Sequence, residues 1–288
     1  MSAFSDITLS VIIVTYNSAS FLPRCLASVN LHLGAIPHEV CVVDNASQDK
    51  TRELVQTQFT RVKFIPNSSN LGFSAAVNQG LENTHGRMVL WLNPDTELLD
   101  NGLVELVAYL DNNPRVGILG TQLIDPRGTR QFSCRSFPSY RTAFFHRYAL
   151  FTRWFPSNRH SQDYLHSDWD GTTVREVDWV SGACLLHRRK VAEELNGLDE
   201  RFFMYCEDTD FCLRAKQRGW SIHYHPAAKV LHHIGSSTRQ LRQRMILERH
   251  RSMWRYYAKH FRRNPLKDIL VGTALWGRCG LIMLRKGD

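Results

Sequence analysis

The β-branched run LSVIIV at residues 9–14 ends in Thr15-Tyr16-Asn17, and VCVV at residues 40–43 ends in Asp44-Asn45. Both read as buried strands that stop at polar loops. Between them, residues 19–31 set Phe21, Leu22, Leu26 and Val29 at helical spacing with Pro23 in the first turn. The alternation continues with a helix over residues 49–57, a strand over 62–65, a helix over 73–82 and a strand over 88–92 that runs into Asn93-Pro94-Asp95. Strands alternating with helices predict an α/β domain with a mostly parallel sheet flanked by helices on both faces. Ligands in such sheets bind beyond the carboxyl ends of the strands, which is where Tyr16, Asp44 and Asp95 fall.

Residues 121–176 lose the alternation and fill with aromatics and arginines, which predicts an insertion with one amphipathic helix over residues 140–154. Regular structure resumes as a strand over 177–186 and helices over 189–194 and 208–218, the latter stopped by Gly219. A last long helix over 241–261 sets Leu241, Met245, Trp254, Tyr257 and Phe261 on one side, and Arg251, Arg255, Lys259 and Arg262 in a cationic stripe beside it. No internal repeat or low-complexity linker divides the chain, so one domain with appendages is expected.

Charge changes this picture. The 288 residues hold 36 Lys+Arg and 27 Asp+Glu, a net charge of +9. Residues 1–235 hold 23 basic and 24 acidic residues, whereas residues 236–288 hold 13 and 3, so the excess belongs to the tail. The seven cysteines form no CxxC pair, the N-terminus has no basic n-region, and no apolar run reaches the ~18 residues of a spanning helix. A cytosolic chain is expected. The absence of GxGxxG and GxxxxGK[ST] argues against a nicotinamide dehydrogenase and a P-loop ATPase.

The strand ends instead carry an aromatic ring that can stack on a nucleobase, and carboxylates that can accept from a base or sugar or hold a metal. Glu207 and Asp208 open a predicted helix, where neighbouring like charge raises a carboxylate pKa and the helix N-terminus lowers it. The simpler reading of Glu207-Asp208-Thr209-Asp210 is an acidic first turn serving the helix dipole.

The blocks SVIIVTYN (10–17), EVCVVDNASQD (39–49), NLGFSAAVNQG (70–80), LNPD (92–95), DWVSGACLLHR (178–188) and GLDERFFMYCEDTDFCLRAKQRGW (197–220) occur in this order. Together they resemble the family 2 inverting glycosyltransferases of GT-A fold, in particular the rhamnosyltransferase-like branch. The resemblance spans residues 8–235. It implies a GT-A domain over 1–235, with a nucleotide-binding half (1–120) and an acceptor and catalytic half (121–235), followed by a basic helical tail (236–288). It further implies that Thr15, Tyr16, Asp44 and Asn93 bind a nucleotide-sugar donor, and that Asp95, with His232, binds a divalent metal, Mg²⁺ or Mn²⁺. Asn93 departs from the more acidic triplet usual at that place. Asp208 falls on the catalytic base, with Glu207 beside it. Asp178 and Trp179 lie toward the acceptor side, where they can bind a sugar hydroxyl and stack on a ring; Trp179 suits the core equally well. His232 and His233 are adjacent, so at most one of the two faces a metal.

The tail adds location. Its basic helix is followed by the apolar stretch ILVGTALWGRCGLIML (269–284), which suits an anionic membrane surface better than nucleic acid, for which no recognition module is present. A peripheral protein on the inner face of the plasma membrane follows. The resulting expectation is transfer of L-rhamnose from dTDP-rhamnose to a polyprenyl-diphosphate-linked saccharide in cell-surface polysaccharide synthesis, with arginines between 135 and 153 or between 239 and 263 near the lipid diphosphate. UDP-hexose and UDP-N-acetylhexosamine are the alternative donors, and a non-catalytic membrane scaffold on the same fold is the alternative of another class.

Overall fold

The computed structural model describes residues 7–138, 169–233 and 242–284. The first half follows the predicted alternation: β1 (Leu9–Thr15), α1 (Leu22–His32), β2 (His38–Asp44), α2 (Thr51–Gln58), β3 (Lys63–Pro66), α3 (Phe73–Glu82) and β4 (Met88–Leu92). Then come β5 (Thr96–Leu98), α4 (Gly102–Asn112), β6 (Val116–Ile124), β7 (Cys134–Arg135), β8 (Arg175–Glu176), β9 (Trp179–Val180) and β10 (Cys184–Arg188). The chain continues through α5 (Arg189–Leu195), α6 (Glu207–Gln217), β11 (Ser221–His232), α7 (Arg242–His260) and α8 (Pro265–Leu284). The helix expected over 140–154 lies outside the described residues.

The main sheet runs β3-β2-β1-β4-β10-β6-β11-β5, with β8 also on β11. Of the eight strands on that path, β10 and β5 oppose the other six. Burial on both faces follows from the alternation along β1: Leu9, Val11 and Ile13 pack with Leu22, Leu26 and Val29 of α1. Ile12 points the other way, into the cluster of Val77, Trp91 and Phe211.

Two expectations need correction. The strand over 177–186 is two strands. β9 pairs with β7 in a small second sheet, Ser181 N–H donates to Ser133 O, and the chain then crosses at 181–183 to insert β10 between β4 and β6. The last long helix is no free cationic stripe. α7 buries Met245, Ser252 and Tyr256 toward the body, while Trp254 and Tyr257 are half-covered by α8. Lys259 pairs with Asp199 and Asp210, Arg251 with Glu248, and Arg262 with Asp268. The polar residues Glu248, His250 and Ser252 on the buried side hid this orientation from the hydrophobic pattern.

Candidate active site

A cavity of about 280 Å³ opens at the carboxyl ends of β1 and β4. Thr15, Tyr16, Asn93, Asp95 and His232 line it. Gly72, at φ +90°, lets the chain pass against Phe203: a Cβ there would lie 2.6 Å from Phe203 O, and Phe73 N–H donates to that same oxygen at 2.7 Å. Asn70 and Asn45 fix this turn, through bonds to Gly72 N–H and Gly72 O.

Asp44 lies beneath the cavity instead of in it. Its carboxylate is fully buried and accepts from Thr15 Oγ1, Ser47 N–H, Ser47 Oγ and Arg52 Nε. Through these bonds it braces Thr15 and the loop that follows β2.

Asp95 and His232 face each other, with His232 Nε2 3.7 Å from Asp95 Oδ1. β5 and the end of β11 set this pairing, since His232 is the register partner of Thr96. Gln131 fixes the imidazole. Its Nε2 donates to the His232 carbonyl, so its Oε1 must accept from His232 Nδ1–H, which leaves the Nε2 lone pair directed toward Asp95. Burial lowers the His232 pKa, opposed by the Asp95 charge. Two acceptors therefore confront one another across a gap, an arrangement that suits a cation. His233 turns away to Glu97, 3.4 Å from Oε1. Among the described residues no group of three or more His, Cys, Asp or Glu side chains gathers as a complete metal cage. A two-residue donor set fits Mg²⁺ or Mn²⁺ completed by phosphate oxygens and water.

The loop 181–183 joins this corner to the acids of α6. Asn93 N–H donates to Ala183 O at 2.9 Å, and Gly182 N–H donates to Asp208 Oδ2 at 3.1 Å. Asp208 Oδ1 also accepts from Thr209 N–H. Burial raises the Asp208 pKa, against the lowering by the Gly182 and Thr209 hydrogen bonds and by the charge of Arg135. Glu207 is raised further, well above its ordinary value, by burial and by the neighbouring Asp208 charge. Its Oε2 is buried with no hydrogen-bond partner. Burial thus acts against the charge of both acids, while only Asp208 has backbone donors that favour its charged form. Just before them Tyr205 and Cys206 both hold left-handed backbone, φ 70° and 65°, so the chain turns sharply from the cavity wall into α6.

Asp178 and Trp179 do not line the cavity. Asp178 accepts from Phe137 N–H and Lys216 Nζ, and Trp179 Nε1 donates to Ser136 O, with the Arg135 guanidinium 5.4 Å above its ring. The cavity also takes in residues that the sequence had not placed with the donor: Phe203, Met204 and Tyr205 before α6, and Arg244, Met245 and Arg249 of α7. The pattern i, i+5 of two arginines around a buried methionine was visible but was absorbed into the basic surplus.

The model of the family described as glycosyl transferase family 2 matches residues 10–169. N-acetylglucosaminyl-diphospho-decaprenol L-rhamnosyltransferase of Mycobacterium tuberculosis (strain CDC 1551 / Oshkosh) is 32% identical over 92% of this chain and 90% of its own length. Rhamnosyltransferase WbbL of Escherichia coli (strain K12) is 24% identical over 86% of this chain and 92% of its own. Among solved structures, the mannosyltransferase PcManGT from Pyrobaculum calidifontis, in complex with GDP-Man and Mn²⁺, superposes with TM-score 0.58 at 18% identity, covering 97% of this chain and 76% of that one. The S. aureus TarS 1-349 structure gives TM-score 0.56 at 16% identity, covering 96% and 83%. These structures establish the fold, mixed α/β of GT-A type, and the family match with the mycobacterial relative establishes the rest: the chain belongs to glycosyltransferase family 2, in its rhamnosyltransferase-like branch.

Proposed function

We propose that the enzyme transfers L-rhamnose from dTDP-rhamnose, with inversion, to a polyprenyl-diphosphate-linked saccharide. The observation that supports this reading is the hydrogen-bonded path from the Asn93-Pro94-Asp95 corner through loop 181–183 to Asp208, which links the cavity to the acid that we take as the base. Tyr16 offers its ring to the nucleobase, while Thr15 and the Asn93 region line the ribose side. Asp95 and His232 would hold Mg²⁺ or Mn²⁺, which supplies Lewis-acid stabilisation of the departing diphosphate. Asp208 takes the proton of the acceptor hydroxyl as its oxygen bonds to the anomeric carbon and the nucleoside diphosphate leaves from the opposite face, and with no enzyme nucleophile in the step the configuration inverts. The decaprenyl-linked saccharide in the name of the mycobacterial relative supports a lipid-linked acceptor for this chain.

A membrane surface fits such an acceptor. Among the described residues no helix is long and apolar enough to cross a membrane. α8 nevertheless exposes Leu266, Ile269, Leu270, Leu281 and Leu284, each more than half accessible. An apolar helix beside a basic one supports peripheral binding to an anionic inner leaflet.

The test is a panel of dTDP-rhamnose, UDP-glucose, UDP-N-acetylglucosamine and GDP-mannose with N-acetylglucosaminyl-diphosphate-polyprenol, with and without chelator. Transfer from dTDP-rhamnose that is lost with chelator and restored by Mn²⁺ is expected. Transfer from a UDP-sugar instead would replace the donor, and no metal-dependent binding of any nucleotide would sink the reading. Flotation on phosphatidylglycerol vesicles should weaken when Leu270 and Leu281 are changed to Glu; undiminished binding would remove α8 as the contact.

A further inference from the structure

We infer that α7 belongs to the donor site: Arg249, with Arg244, binds the diphosphate of the nucleotide-sugar and its nucleoside diphosphate product. This rests on the donor reading above and deepens it. Both arginines line the same cavity as Tyr16, Asp95 and His232. Each guanidinium lies over an aromatic ring of the cavity wall, Arg249 4.7 Å from the Tyr205 centroid and Arg244 5.5 Å from that of Phe203. A guanidinium over a ring satisfies its face and leaves its N–H fork for an oxyanion, the geometry in which arginine binds phosphate in two-pronged fashion. Among the described residues no carboxylate pairs with either arginine, in contrast with Arg251, Lys259 and Arg262 on the same stretch of chain.

The position of α7 is not left to chance. Ser252 Oγ donates to Met204 O at 2.8 Å, beside the two rings, and Lys259 and His260 meet Asp210 at 2.7 Å. Met245 enters the cavity between the two arginines in sequence and is nearly buried. Among the described residues Asp95 is the one carboxylate in the lining, beside the two arginines, so these residues make the wall cationic overall even before a metal is counted. A leaving group that gains negative charge as the glycosidic bond breaks is stabilised most by cations already fixed beside it. Because Tyr205 carries Arg249 and stands three residues before Asp208, grip on the diphosphate and placement of the base share one short turn.

The same chemistry could serve the diphosphate of the lipid acceptor, and the test separates the two. Wild type, Arg244→Gln, Arg249→Gln, the double variant and Arg249→Lys are titrated calorimetrically with dTDP, UDP, dTMP and UMP in Mn²⁺ at fixed ionic strength, and donor and acceptor KM are measured for each. The double variant is expected to lose about ten- to a hundredfold in affinity for the preferred nucleoside diphosphate, with a smaller loss for the monophosphate. Arg249→Lys should recover part of the loss, because it keeps the charge and forfeits the fork. Monophosphate affinity serves as the folding control. Unchanged diphosphate affinity, or equal loss for both nucleotides, overturns the assignment. A rise in acceptor KM alone moves the arginines to the lipid diphosphate and overturns it as well. If wild type binds neither dTDP nor UDP, the donor reading itself fails, and this assignment with it.

Discussion

Asp208 and Asp210 stand two residues apart in the first turn of α6, yet one is left chemically open and the other is closed. Asp208 accepts from the backbone N–H groups of Gly182 and Thr209, next to a buried Glu207 oxygen with no partner, and burial raises its pKa. Asp210 is equally subject to burial, but His260, Arg214 and Lys259 surround it and outweigh that effect, holding its pKa below the ordinary value. The contrast teaches that an acidic first turn is not one feature. The side facing loop 181–183 holds an acid that only backbone N–H groups and Thr209 partner, as the proposed base requires; the side facing α7 fastens the C-terminal helices to the body. The helix-dipole reading of the turn explains neither the unpartnered oxygen nor the gathering of Arg214, Lys259 and His260 at Asp210.

The contrast breaks most visibly at Asp208. Asp208→Asn keeps the hydrogen bond from Gly182 and removes the base, so kcat should fall at least ~10³-fold, the upper range of what a general base supplies. The donor KM should hold within a few-fold and the denaturation midpoint should not drop. Activity within tenfold of wild type would show that Asp208 is not the base.

Asp210→Asn should do the reverse. Removing the acid leaves Arg214, Lys259 and His260 clustered around an amide, and breaking a buried ionic cluster costs about 3 kcal/mol, measured by urea denaturation. The pH dependence has a definite sign. An acid whose pKa is lower in the folded state contributes stability above its unfolded value of about 3.9, and loses that contribution as pH falls through the folded value. The difference between wild type and Asp210→Asn should therefore be full at pH 6 and shrink below about pH 4. A difference that is constant with pH would mean that charge is not what Asp210 contributes.

The acid limb of the rate profile comes next in size. Since burial raises Asp208, kcat/KM, which reports the ionisations of the free enzyme, should decline with falling pH at an apparent pKa above the ordinary carboxylate value. A limb at or below about 3.9 would contradict the electrostatics of the site.

Much of this was legible in the sequence, for physical reasons that differ by region. Strands β1, β2 and β4 announce themselves because their central residues are buried on both faces and apolar, so that their polar ends stand out, whereas the edge strand β3 is half-exposed. Tyr16 and Asp95 stand at such strand ends and both line the cavity, whereas Asp208 drew notice only as an acid at a predicted helix start and through the resemblance. Asp44 shows the limit: a strand-end acid looks the same whether it faces a ligand or is consumed by Thr15, Ser47 and Arg52 below. β9 and β10 merged because crossing between sheets leaves no mark in a run of apolar residues. α7 misled by composition. Its contacts with the body run through Ser252, Lys259 and His260, partners that become apparent only once Met204, Asp199 and Asp210 are brought beside them.

The smallest effect, and the sharpest comparison within the pair, belongs to Glu207→Gln. If the proton of the pair rests on Glu207, glutamine replaces a neutral acid with a neutral amide of the same shape, and kcat/KM at pH 7.5 should stay within about threefold. The acid limb should barely move, whereas a charged Glu207 would be holding the Asp208 pKa up and its removal would shift the limb to lower pH. Stability supplies an independent sign. An acid whose pKa is raised on folding costs stability as pH climbs from its unfolded value of about 4.3 toward its folded value, so the variant should gain on wild type between pH 4 and neutrality, opposite in sign to the loss at Asp210. Glu207→Gln and Asp210→Asn that both destabilise with the same pH slope would erase the distinction between the two sides of the turn.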